Sequence, residues 1–164
     1  LILYFLFSCT SGENLQKIDE NSLVQVGDTL PGFTAFTSNN IIYNNASLKK
    51  HVVIIVFFNT SCRLCRQELP SIDSIYRDFC TNQSVKILAI SREENYKDVM
   101  AYWNSASLIM PFSAQCDRKI YSKFAKLGIP RIYITDLSGK VFRIYSDFMI
   151  PTQREIFTII NMLT

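Results

Sequence analysis

A chain of 164 residues, 48% apolar and 19% charged, is long enough to bury one full core without staples, and its composition excludes a disordered protein. The net charge of +3 is spread without basic blocks, so nucleic acid is not an expected partner. A single histidine, His51, removes Cys-His proteases, histidine-rich metal sites and Ser-His-Asp hydrolases, each of which needs an imidazole as base or ligand.

The stretch "LILYFLFSC" contains seven consecutive apolar residues and reads as the tail of an export signal. Within it, Leu6-Phe7-Ser8-Cys9 resembles a bacterial lipobox, which makes Cys9 a candidate for lipidation; a plain signal remnant or an apolar first strand is the alternative. Residues 10–22, "TSGENLQKIDENS", are polar and suit a tether from lipid to domain, with the folded domain expected over 23–164. Such a domain works outside the cytoplasm, where disulfide chemistry is possible.

Short alternating stretches broken by Gly27, Pro31 and Asn39-Asn40 predict a small N-terminal hairpin. "HVVIIVFF" is a continuous apolar run of strand length, as expected for a central strand covered on both faces. From Arg63 the spacing becomes helical through Leu64, Ile72, Ile75, Tyr76 and Phe79, with Pro70 as an expected kink. "VKILAIS" reads as a second buried strand, "NYKDVMAYWNSA" as a helix packed through Met100, Tyr102 and Trp103, and "LIMPFSA" as a short strand. Asp117 is the expected N-cap of a helix over "RKIYSKFAKL", with Gly128 as its C′ residue and Lys119, Lys123 and Lys126 on a solvated face. "PRIYITD" and "KVFRIYS" flank Leu137-Ser138-Gly139 as a hairpin, and "TQREIFTIINML" closes the chain as an amphipathic helix. Strand-helix-strand followed by a hairpin and a closing helix describes a mixed α/β sandwich.

Two thiols, Cys62 and Cys65, stand where the first buried strand hands over to the first helix. There Cys62 faces unpaired backbone N–H groups and the positive end of the helix dipole, which favour its thiolate, and Arg63 adds a cation. Cys65, one turn further in, can attack a mixed disulfide formed on Cys62. Competing readings of the pair are half of a zinc site, for which no second pair at such spacing exists, an inert short-loop disulfide, and a carrier of a soft ion such as Cu(I).

"VFFNTSCRLCRQELP", with "VGDTLPGFTA" before it and "LGIPRIYITDLSGKV" after it, resembles the thioredoxin superfamily, and within it the TlpA/ResA-like group of membrane-anchored extracytoplasmic thiol-disulfide oxidoreductases. The resemblance runs from about Val24 onward. It implies a thioredoxin-like α/β fold, a central mixed β-sheet flanked by helices, with an added N-terminal β-hairpin. It also implies ping-pong exchange through a mixed disulfide, with no cofactor beyond the redox-active Cys62-Cys65 disulfide and no resident metal.

By the same resemblance Cys62 matches the attacking cysteine and Cys65 the resolving one. Pro130 matches the proline that is cis in this fold and packs beside the disulfide, and the backbone of Ile129 would pair with an extended substrate, near Arg63. Glu68 matches a glutamate three residues after the second cysteine; at i and i+3 it shares a helix face with Cys65 and could help move its proton, although a solvated helix glutamate is the plainer reading. Three positions depart from the pattern: Ser61 and Phe58 stand where tryptophans are usual, and Val56 stands where thioredoxins keep a buried aspartate. The dipeptide Arg63-Leu64 lacks proline and glycine, which leaves the direction of electron flow open.

Cys80 and Cys116 are expected as buried or half-buried structural thiols, with a disulfide between them as the alternative. The expected function is reduction of protein disulfides outside the cytoplasm, with exported thiol proteins such as apocytochrome c as substrates, a membrane electron donor, and attachment to the membrane through lipid. A thiol-dependent peroxidase of the peroxiredoxin kind is the alternative enzyme. It is weakened because Asn59 and Ile55 stand where a Thr or Ser and a Pro are expected.

Overall fold

In the computed structural model, which describes residues 19–164, the elements run β1 (Thr34–Phe36), β2 (Ile42–Asn44), β3 (Val52–Phe58), α1 (Arg63–Phe79), β4 (Val85–Ser91), α2 (Tyr96–Ser105), β5 (Phe112–Ser113), β6 (Arg131–Thr135), β7 (Val141–Tyr145) and α3 (Gln153–Leu163). Cys9 and most of the expected tether lie outside the described residues. Residues 19–22 already belong to the folded body: Ser22 is buried, and its hydroxyl lies 3.0 Å from that of Tyr133.

β3 is buried over all seven residues because it is the middle of a five-stranded sheet ordered β5-β4-β3-β6-β7. It pairs parallel with β4 and antiparallel with β6, so the sheet is mixed. With side chains alternating across the sheet, Val52, Ile54, Val56 and Phe58 join a core fed by all three helices, while Val53, Ile55 and Phe57 face a second core. That second face is covered by the β1-β2 hairpin, through Ala35 and Tyr43, and by Ile120, Tyr121 and Phe124. The thioredoxin-like α/β architecture with an N-terminal hairpin is therefore present.

Pro70 lies inside α1 without ending it. Proline has no N–H to offer the carbonyl four residues back. The Tyr102 hydroxyl donates to that carbonyl, on Arg66, at 3.5 Å, and the Arg66 guanidinium lies over the Tyr102 ring, which binds α2 to α1. Leu64, expected on the buried face of α1, is exposed; Cys65, Glu68, Leu69 and Asp73 are buried instead.

The helix expected over residues 118–127 does not form. Only a single 3-10 turn, Tyr121–Lys123, is present. Long-range pairing overrides local propensity here: the Phe124 carbonyl accepts from Leu23 N–H at 2.8 Å and the Lys126 N–H donates to the Asn21 carbonyl at 2.8 Å, so the N-terminal segment takes groups a helix would have used. Gly128 still adopts a positive φ of 89°. Cys80 and Cys116 are both exposed and unpaired, not core thiols, because Cys80 lies just past the last turn of α1 and Cys116 in the loop after β5.

Asp73, 3% exposed, ties α1 to the strand edge. Its Oδ1 accepts from the Ile109 and Met110 N–H groups, each at 2.7 Å, and its Oδ2 from Arg77 Nε at 2.8 Å. Replacing Asp73 by Ala leaves two N–H groups without an acceptor, so Asp73→Ala is expected to cost about 3 kcal/mol and Arg77→Ala, on a half-exposed side chain, about 1 kcal/mol or less, measured by urea denaturation.

Candidate active site

The parallel pairing of β3 with β4 brings their C-terminal ends, Phe58 and Ser91, side by side. Loops at such ends are where open α/β sheets place their sites. The turn after Phe58 is held by groups from the loop after Ser91. Arg92 N–H donates to the Phe58 carbonyl, Asn59 Nδ2 donates to the Arg92 carbonyl, and Thr60 gives both its N–H and its hydroxyl to the Glu94 carboxylate. Asn59 Oδ1 accepts from Ser61 N–H, and the Asn59 carbonyl from Cys62 N–H at 3.0 Å.

This turn delivers Cys62 as the N-cap of α1, with extended backbone at φ −76° and ψ 118°. Its sulfur accepts from the Cys65 N–H at 3.3 Å, the hydrogen bond that a Ser or Asp oxygen makes in an ordinary cap. Sulfur at this place receives an otherwise unpaired helix N–H and the favourable end of the dipole. The same thiol lies 3.6 Å from the Ile129 carbonyl, to which it can donate. Cys62 is half-buried and Cys65 fully buried, so one thiol meets solvent and the other does not.

Burial pushes the Cys65 thiol far above its ordinary range, and hydrogen bonding to Cys62 adds to this; the Asn59 backbone N–H and the Arg92 charge act in the opposite direction. Glu68 is also withdrawn from water, at 5% exposure, and its Oε1 has no hydrogen-bond partner among the described residues. Desolvation raises its pKa to about 7. The alternative of a solvated helix glutamate is thereby set aside. Val56 and Phe58 form an apolar wall, with Phe58 packed on Trp103 at a ring separation of 5.0 Å.

The opposite wall is the loop 128–130. The Ile129-Pro130 peptide bond is cis, Pro130 is buried and Ile129 half-buried. The Tyr121 hydroxyl donates to the Gly128 carbonyl at 2.7 Å and Arg131 Nη2 to the Leu127 carbonyl at 2.8 Å. A Cβ on Gly128 would lie 2.7 Å from Asp147 Oδ1, which adds a steric demand for glycine to that of its φ. Arg131 is fully buried and paired with Asp19, so the N-terminal segment buttresses this loop.

The fold thus brings together Cys62, Cys65, Ile129 and Pro130, and keeps Glu68 on the buried side of α1. Arg63 is exposed at the start of α1. Arg92, Glu94, Tyr121 and Arg131 were not singled out from the sequence. The "SREEN" segment directly after a buried strand carried a signal for the first two, since a parallel partner places it beside the cysteine turn. Among the described residues no group of three or more His, Cys, Asp or Glu side chains is arranged to hold a metal ion.

Glu68 has a consequence for stability. Its folded pKa, about 7, exceeds the ordinary 4.5, so the folded state holds the proton more tightly and stability falls as pH rises between those values. Glu68→Gln is therefore expected to be more stable than the parent at pH 8 by roughly 3 kcal/mol at most, with the difference gone near pH 4, as read from urea denaturation of the reduced protein at both pH values.

Comparison with known proteins agrees with this geometry. Residues 26–144 match the model of the AhpC/TSA family. The chain is 24% identical over 140 residues to the thiol-disulfide oxidoreductase ResA of Bacillus subtilis (strain 168), covering 85% of this chain and 76% of that protein. It is 25% identical to the thioredoxin-like protein YneN of the same organism, covering 94% and 92%. The crystal structure of a thioredoxin-family thiol:disulfide interchange protein from Chlorobium tepidum TLS superposes with a TM-score of 0.72 at 22% identity, over 85% of this chain and 97% of that one. The match spans most of the folded body, including the cysteine turn, and the chain belongs to the AhpC/TSA family, with a thioredoxin-like fold.

Proposed function

We infer that the protein is a thiol-disulfide oxidoreductase, and we propose that it reduces protein disulfides outside the cytoplasm. The observation that carries this reading is the half-exposed Cys62 sulfur, capped by the Cys65 N–H and set 3.6 Å from the Ile129 carbonyl, with the second thiol buried behind it.

In the forward direction the Cys62 thiolate attacks one sulfur of a substrate disulfide. The S–S bond breaks, its electron pair leaves on the second substrate sulfur, and that sulfur takes a proton. Cys65 then gives up its proton, with Glu68 as the acceptor in our reading, and attacks the Cys62 sulfur. The mixed disulfide breaks, the departing substrate thiolate takes the proton, and two electrons have passed from the Cys62/Cys65 dithiol to the substrate. A dithiol donor of the membrane restores the reduced pair. The Ile129 backbone and Pro130 would receive an extended substrate segment, with Arg63 at the rim, and Cys9 would carry the lipid that holds the domain at the membrane. Exported thiol proteins, apocytochrome c among them, are the substrate class this arrangement suits. No helix of the described residues is long and apolar enough to cross a membrane.

A peroxidase reading is less well supported. Asn59, where a Thr or Ser would be needed, is engaged in holding the turn, and Ile55 is buried within β3. A copper carrier would use the same two thiols, but the burial of Cys65 leaves one accessible sulfur rather than two.

Equilibration against thiol-disulfide buffers, with thiol trapping and mass spectrometry, is expected to give a reversible Cys62/Cys65 couple at about −250 mV or lower; a value near about −120 mV would make the protein an oxidant, and absence of reversible exchange would defeat the reading. Cys65→Ser should accumulate a substrate mixed disulfide on Cys62 that the parent resolves. Glu68→Gln should slow resolution by about 100-fold and remove the inflection near pH 7 from its pH-rate profile, which stopped-flow measurement of the second exchange step would register.

A further inference from the structure

We propose that Asp19 is a positioning residue of the exchange reaction: through Arg131 it holds the loop 127–130 in place for a substrate backbone, so that the seating of the N-terminal segment sets how well a polypeptide disulfide is presented to Cys62. The proposal rests on the oxidoreductase reading above.

Arg131 opens β6 directly after the cis Ile129-Pro130 bond, in register with Phe57 of β3. Its guanidinium turns back over the loop, where Nη2 donates to the Leu127 carbonyl at 2.8 Å. One residue therefore ties both ends of the loop whose Ile129 carbonyl stands 3.6 Å from the Cys62 sulfur. Its side chain is fully buried; Nη1 donates to Asp19 Oδ2, and Nε has no hydrogen-bond partner among the described residues. Asp19 is itself fixed, since its Oδ1 accepts from Asn21 N–H at 3.0 Å and its carbonyl from Ser22 N–H at 2.9 Å. The segment continues along residues 124–126: the Asn21 carbonyl accepts from Lys126 N–H and Leu23 N–H donates to the Phe124 carbonyl, each at 2.8 Å. The pair is thus the point where a docked N-terminal segment reaches the substrate side of the site.

A buried guanidinium that loses its carboxylate is left as an uncompensated charge, and the structure must move to relieve it. The nearby Tyr121 and Tyr133 hydroxyls are already committed, to the Gly128 and Phe124 carbonyls. The other carboxylate at this place is Asp147. A Cβ on Gly128 would stand 2.7 Å from Asp147 Oδ1 and 3.1 Å from Arg131 Nη2, so both groups border one space, and Asp147 Oδ1 has no hydrogen-bond partner among the described residues. Without Asp19 the guanidinium is drawn toward Asp147, and Nη2 leaves the Leu127 carbonyl. The loop then loses the tie at its first residue, and the Ile129 backbone no longer meets an extended segment at a fixed distance from Cys62. Such a misplacement slows only a substrate that uses the loop. A small disulfide with no backbone meets the half-buried Cys62 sulfur directly, and the cap on that sulfur from Cys65 N–H does not involve Asp19.

The test uses the full chain with Cys9, Cys80 and Cys116 replaced by Ser, which leaves Cys62 and Cys65 as its only thiols and serves as the parent of the series. The reduced protein is mixed by stopped flow with two disulfides that share the leaving group 2-nitro-5-thiobenzoate, one on the single cysteine of a short unstructured peptide and the other on 2-mercaptoethanol. Cys62 attacks the peptide or mercaptoethanol sulfur, the S–S bond breaks, and the coloured thiolate, the better leaving group, departs with the electron pair, which times the first exchange step. The parent is expected to react with the peptide disulfide about 10-fold faster than with the small one. In Asp19→Ala the peptide rate is expected to fall about 10-fold while the small-disulfide rate stays within about twofold, and Asp19→Glu is expected to restore the peptide rate to within about threefold of the parent. Circular dichroism and thermal melts measure folding. A folded Asp19→Ala protein that keeps the parent's ratio of the two rates overturns the proposal, whether both rates hold or both fall. So does an Asp19→Glu protein that loses the ratio as far as Asp19→Ala, or a parent with no preference for the peptide. Should Asp19→Ala fail to fold, Asp19→Asn carries the same comparison. Failure of the parent to release the chromophore from either disulfide overturns the oxidoreductase reading itself, and this proposal with it.

Discussion

The site depends on one hydrogen bond, from the Cys65 N–H to the Cys62 sulfur. It makes a thiol the N-cap of α1, which can happen only if the chain leaves β3 fully extended and turns into the helix within the residues Asn59 to Ser61. Everything around the turn serves that geometry. The strand is rigid because it is buried on both faces in the middle of the sheet, and the turn is rigid because Asn59, Thr60 and Glu94 satisfy its backbone. Helix termini leave N–H groups unpaired, and here one of them is committed to the Cys62 sulfur.

Behind this cap the protein keeps polar groups in conditions that ordinary cores avoid. Among the described residues Glu68 Oε1 has no hydrogen-bond partner, and Arg92 Nε and Nη1 have no hydrogen-bond acceptor, although Glu93 lies 3.9 Å from Nε. Each costs stability, and neither is needed to fill space. Local disagreements between burial and polarity of this kind concentrate at functional sites. Val56 and Phe58 are apolar, so on this face β3 sets no polar side chain against α1, and the two side chains lie on α1 and on the loop after β4.

The second wall of the site is built differently. Loop 128–130 is not supported by regular structure before it, since residues 118–127 form turns and not an α-helix. Its supports are side chains: the Tyr121 hydroxyl on the Gly128 carbonyl, Arg131 on the Leu127 carbonyl, and Asp19 on Arg131. Through that last pair the segment arriving from the N-terminus is joined to the loop that faces Cys62. Position of the N-terminal segment and shape of the redox site are therefore mechanically connected.

The sheet strands, the first and last helices, the redox pair and the proline opposite it were all legible in the sequence. Apolar periodicity is dictated by burial along a strand or helix face, and two cysteines two residues apart at a strand-helix junction constrain themselves locally. Gly128 was expected as the C′ residue of a helix that does not form; its positive φ belongs instead to the loop before the cis Ile129-Pro130 bond, where a Cβ would also meet Asp147. What the sequence could not decide was whether "RKIYSKFAKL" would stay helical, because the competing partners, Asn21 and Leu23, are about a hundred residues away and propensity carries no information about them. Nor could it decide the burial of Glu68 or the contacts of Arg92, Tyr121 and Arg131. A charged residue reads as solvated until the packing of other elements removes its water, and that removal, which turns Glu68 into a candidate base, is a property of the assembled tertiary structure alone.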